Sequence, residues 1–144
     1  MQTQNTFHLA FRGHFTSLLS WQQLDEFWEV VRHRANGGWY IYAIGMPAPA
    51  GESAAADVIK FITAVNTLLH ADHAEDYCGI VYTDHKQTPT FIKIFDPYNL
   101  GVSCGFSNNP PLPGWIMSLI PPQTLKSRRP LPAGRQRWWH DLWV

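Results

Sequence analysis

Three stretches of the chain gather residue types able to do chemistry. The first is His70-Ala-Asp-His73-Ala-Glu-Asp76-Tyr-Cys78, with two imidazoles, three carboxylates and a thiol within nine residues. These are ligand types for zinc and other transition metals. The spacing argues against such a site, because His-x-x-His at the end of a helix is not the i, i+4 pair of a helical zinc site. No second ligand pair follows it, so His70, His73 and Cys78 stand only as an alternative metal set, which Cys104 or His85 would have to complete. The plain alternative is a polar helix-to-strand loop leading into a strand through a small, buried Cys78.

The second stretch is Asp96-Pro-Tyr-Asn-Leu-Gly101-Val-Ser-Cys104-Gly105. Asp96 and Asn99 carry turn-forming side chains, and the glycines permit tight backbone. Cys104 lies in the kind of turn a nucleophilic thiol uses, with His70, His73 and His85 as candidate bases by residue type alone. Gly-x-Ser-x-Gly occurs at 101–105, but a nucleophile elbow belongs between a strand and a helix, and here a coil of Asn and Pro follows. Asp96, Asn99 and Cys104 are therefore taken as binding candidates, and a structured turn after a hairpin is the competing reading.

The third is the C-terminal stretch. Written as a helix, Trp138, Trp139, Leu142 and Trp143 fall on one side, preceded by Arg135 and Arg137. A basic segment with a tryptophan face can dock on a partner, lie on an anionic membrane or stack on single-stranded nucleic acid. It can equally close the domain's own core. One short helix gives marginal membrane affinity, and a pI near 7.1 disfavours nucleic acid. Trp138, Trp139 and Trp143 are kept as binding candidates, with Trp138 and Leu142 expected to face inward and Trp143 outward. A fourth group, Tyr40, Tyr42 and Tyr82 on short strands, would supply hydroxyls to a ligand pocket or simply form core.

These residues need a scaffold, and the rest of the 144 residues supplies one. That length suits a single domain with a self-sufficient core. Charged residues make up 15% and aromatics 14%, which excludes a disordered chain. No apolar run approaches the ~18 residues of a membrane span. The start lacks the basic and apolar regions of a secretory leader. Two cysteines without a C-x-x-C fit a reducing cytoplasm, so both thiols are expected to be free.

Alternation of Phe7, Leu9 and Phe11 predicts a strand at 6–12. Ser20 and Gln23 open a capping box, and Leu24, Phe27, Trp28 and Val31 give residues 21–35 an amphipathic helical face. Asn36-Gly37-Gly38 ends that helix. Residues 39–44 read as a strand, and 45–52 as a loop. Ser53 stands where it can cap a helix over 54–70 carrying Val58, Phe61, Ile62, Val65, Leu68 and Leu69. Residues 77–83 and 90–95 predict a hairpin joined by 84–89.

Seven of the 11 prolines lie between 110 and 132, so this region is expected to be extended chain wrapped over the body. Residues 115–120 within it are either a strand or a helical turn. Residues 134–144 read as a short helix. The expected fold is α+β: a β-α-β-α-β-β core with two helices on a mainly antiparallel sheet. Residues 1–132 would form the domain and 133–144 a basic aromatic helix or tail. Residues 125–144 carry five basic groups against Asp141 alone, a net +4, and the remainder carries −4, so the C-terminal stretch is attracted to its own body or to a neighbour's.

No acid–base pair, triad or cofactor fingerprint stands out, and no cofactor is expected. The leading reading is a small cytoplasmic accessory or protein-interaction domain without catalytic activity. Its partner would be another protein or a second copy, met through the 97–115 loop or the C-terminal helix. Two alternatives stay open: a thiol- or metal-dependent enzyme built on Cys104, and a small-molecule binder using the Tyr-rich strands.

Overall fold

The computed structural model describes residues 3–73, 79–97, 112–126 and 131–144. The elements run α1 (Thr3–Phe11), β1 (Thr16–Ser17), α2 (Trp21–His33), β2 (Tyr40–Ala43), α3 (Ala55–Asp72), β3 (Val81–Thr83), β4 (Phe91–Ile94), β5 (Trp115–Ser118) and α4 (Ala133–Leu142). The five strands form one sheet in the order β1-β3-β4-β5-β2, and every neighbouring pair is antiparallel. The chain is thus an α+β unit, and with β5 in the sheet its core runs β-α-β-α-β-β-β. Among the described residues no helix is long and apolar enough to cross a membrane.

The helical faces of α2 and α3 are set by their apolar spacing. Leu24, Phe27, Trp28 and Val31 of α2 and Val58, Phe61, Ile62 and Val65 of α3 are buried. They pack on Ile41, Ala43, Val81, Ile92, Ile94, Trp115 and Met117, which alternation turns to one face of the sheet. The Trp28 indole N–H donates to Asn66 Oδ1 at 3.1 Å, tying α2 to α3. Ser20 caps α2 by accepting from the Gln23 amide at 3.1 Å, while the Gln23 side chain accepts from the Leu19 amide at 3.0 Å. Gly38, at φ +91°, supplies the left-handed turn after α2.

Three expectations are corrected. Residues 6–12 lie in helix α1 and its exit, not in a strand. Phe7, Ala10 and Phe11 fall at i, i+3 and i+4, and this helical face packs on Tyr42, Phe91 and Ile116. Phe7 is 0% exposed and Leu9, its partner in the alternating reading, is 63% exposed. The first strand of the core is Thr16–Ser17 instead. Second, Ser53 does not cap α3: Ala54 holds that position with no side-chain hydrogen bond, and the Ser53 amide donates to the Trp39 carbonyl at 2.7 Å. Third, the core has a strand that the expected β-α-β-α-β-β order left out, and of the two readings of residues 115–120 the strand is the one that forms. Residues 115–118 are a fully buried strand inserted between β4 and β2. The prolines flank this strand, where a missing amide costs no ladder bond. Beyond it the chain does lie over the α1 face: the buried Tyr42 hydroxyl accepts from the Leu125 amide at 2.9 Å.

Candidate functional site

Asp96 lies two residues past the end of β4, and only 4% of it is exposed. A buried carboxylate needs a partner, and α4 supplies it. Arg135 donates from Nε to Asp96 Oδ2 at 2.8 Å and from one terminal nitrogen to Asp96 Oδ1 at 3.0 Å. The same nitrogen donates to Asp72 Oδ2, at the end of α3, at 2.8 Å. The pairing with Asp96 is the two-pronged geometry for which a guanidinium is built. The Arg135 side chain is 11% exposed and that of Asp96 5%, whereas Asp72 is 38% exposed. The hydrogen bonds to Asp96, and next those to Asp72, hold the guanidinium still further into its charged range despite its burial. The approach is close: a side chain at Gly114 would stand 3.2 Å from Asp96 Cβ.

The ion pairs seat the aromatic face of α4. Trp138 tilts against Trp115 of β5 with ring centroids 5.4 Å apart. Trp139 meets Phe61 of α3 edge-on at 6.1 Å and Trp143 edge-on at 5.4 Å. Trp138, Trp139, Leu142 and Trp143 all pack on the α2–α3 core, yet α4 contains no fully buried residue. The expectation that Trp143 points outward is corrected, since its ring also rests on this layer. Asp96 and the three tryptophans, separate candidates in the sequence, therefore meet in one place.

The other candidates lie elsewhere. His70 stacks on Trp21 with ring centroids 4.0 Å apart, and His73 meets the same indole at 6.0 Å. Among the described residues no group of three or more His, Cys, Asp or Glu side chains is arranged to hold a metal ion. His85 is exposed in the β3–β4 turn, where its amide donates to Asp84 Oδ1 at 2.9 Å. Asp84 organises that turn, also accepting from the Thr90 and Phe91 amides and the Thr90 hydroxyl. Cys78, Asn99 and Cys104 fall outside the described residues. A cleft of about 270 Å³ opens beside the N-terminal half of α2, between buried Leu18 and Phe27 and exposed Glu26 and Lys86. None of the sequence candidates lines it.

Sequence reasoning missed Lys93. It sits on β4, the central strand, with its amine 4.0 Å from the ring centroids of both Phe11 and Phe15. Burial pushes the amine down to about 8. The signal was present in Phe91-Ile-Lys-Ile94, where alternation puts Lys93 on the face opposite Ile92 and Ile94. What was lacking was the helix that covers that face. No family model, no curated protein and no solved structure matches the chain.

Proposed function

We propose that the chain is a non-catalytic interaction module whose contact element is the docked helix α4. The observation that carries this reading is the state of its indoles. Trp138 and Trp139 lie on one short helix and Trp143 caps its end; all three rest on the core, and none is fully buried. A terminal helix used only to close a core would gain most by burying such side chains completely. Left partly open and held in place by Arg135, they make a pre-organised aromatic surface. Tryptophan is enriched among the residues that dominate protein–protein binding energy. The partner is another protein chain, a second copy included. Cysteine usage supports a cytoplasmic setting, since two cysteines without short spacing do not form the framework of a small secreted domain.

The test compares the wild-type protein with Trp143→Ala at a temperature where circular dichroism shows both to be folded. Self-association is read by sedimentation velocity, and partners by crosslinking in the source cells followed by mass spectrometry. The reading expects either a self-associated species or one recurrent crosslinked partner, lost in the variant. Association that is absent in both proteins, or identical in both, overturns it.

A further inference from the structure

Among the described residues, the elements around Lys93 carry little counter-charge. Its amine lies on the sheet face covered by α1. The segment 3–24, which supplies α1, β1 and the start of α2, contains no carboxylate. Neither do β2, β3, β5 or the whole stretch 112–126. The flanking cross-strand partners of Lys93 are Tyr82 on β3 and Ile116 on β5. The titratable or cationic groups on and just beyond α1 are His8, Arg12 and His14. The two acids nearest in sequence are already engaged, Asp84 by the β3–β4 turn and Asp96 by Arg135. What holds the amine is the pair of ring faces of Phe11 and Phe15.

We propose that Lys93 is a reactive amine that condenses reversibly with the carbonyl group of an aldehyde bearing an apolar or aromatic body. Among the described residues no carboxylate is paired with this half-buried ammonium group, so it loses hydration without gaining an ion pair there, and the neutral amine is populated near neutral pH. The ring faces act in opposition, since they attract the ammonium form, and they hold the nitrogen in place. Lowering to about 8 leaves a substantial free-amine fraction at pH 7.5. In the reaction the ammonium first gives a proton to solvent. The nitrogen lone pair then bonds to the carbonyl carbon, and the carbonyl oxygen takes up a proton. The nitrogen gives one proton to solvent to form the neutral carbinolamine. Its hydroxyl takes a proton from solvent and leaves as water while the nitrogen lone pair forms the C=N bond. Loss of the last N–H proton to solvent leaves a neutral imine, which water reverses. The rings that flank the amine offer an apolar surface to the body of the aldehyde. This inference is independent of the role given to α4.

The chain carries its own controls, because its other three lysines, Lys60, Lys86 and Lys126, are exposed. The intact protein is treated at pH 7.5 with benzaldehyde and sodium cyanoborohydride, and N-benzylation is followed at each lysine by peptide mass spectrometry. Lys93 is expected to react on the order of tenfold faster or more than the exposed three, as its free-amine fraction requires. In urea all four should react alike. Across pH the rate at Lys93 should level off just above 8, while the others keep rising. A native rate at Lys93 equal to or below those of Lys60, Lys86 and Lys126 overturns the proposal.

Discussion

At Asp84 one carboxylate does the work of a turn. Its Oδ1 accepts from the amides of His85, Thr90 and Phe91, and its Oδ2 from the Thr90 hydroxyl. Burial works against the charge, but the Thr90 hydroxyl and the three amides outweigh it and hold the group below its usual 3.8. A depressed carboxylate gives stability that is present above its unfolded value and lost as the pH falls through its folded one. Between those two values the unfolded chain binds more protons, so stability rises with pH. The expected outcome is a loss of stability on acidification below about 3.8 that is shallower in Asp84→Asn. At pH 7 the same substitution should cost about 1–3 kcal/mol, since it takes a charged acceptor from several donors. Urea unfolding at a series of pH values from 7 to 2.5 measures both. Equal acid limbs in the two proteins would show that Asp84 does not link the turn to pH.

Among the elements, α2 and α3 were the most legible, because α2 repeats its apolar spacing over about two turns and α3 over about three. Phe61 is 0% exposed and touches both the sheet layer and Trp139 of α4. Phe61→Ala should therefore cost about 3–5 kcal/mol in urea unfolding. A cost below about 1 kcal/mol, typical of surface positions, would mean this face is not core. The short elements were harder to read, for physical reasons. Phe7, Leu9 and Phe11 satisfy a period of two, while Phe7, Ala10 and Phe11 satisfy a helical turn, and only the sheet that receives them decides. β5 has four residues between proline pairs, so nothing local sets it apart from extended coil. Its strand state comes from the two neighbours that accept its backbone groups. Lys93 was missed for a related reason: a polar residue in an alternating strand reads as solvent-facing until a helix is placed over it. The meeting of Asp96 with Arg135 spans 39 positions and leaves no spacing signal. The charge split between body and C-terminal stretch did foretell that the two attract.

For the molecule as a whole, α4 is joined to the body through two kinds of contact that experiment can separate. One is ionic: Arg135 with Asp96, nearly buried, and with the more exposed Asp72. The other is the indole layer on Phe61 and Trp115. Arg135→Ala leaves a buried carboxylate at Asp96 with its guanidinium removed. The expected cost is about 3 kcal/mol, the lower end for breaking a buried pair, because Asp72 remains wet. Salt should restore little of it, since burial shields the Asp96 contact from screening. Asp72→Asn, by contrast, should cost under about 1 kcal/mol, as exposed pairs do. Ending the chain at Pro132 removes Arg135 and the indoles together, and uncovers Trp115 as well. It should lower the melting temperature by more than Arg135→Ala does, at ~2–8 °C for each kcal/mol lost. Calorimetry of the four proteins at equal concentration orders them: wild type, Asp72→Asn, Arg135→Ala, truncated chain. If truncation costs no more than Arg135→Ala, the indoles add nothing to the body, and α4 is held by its arginine alone.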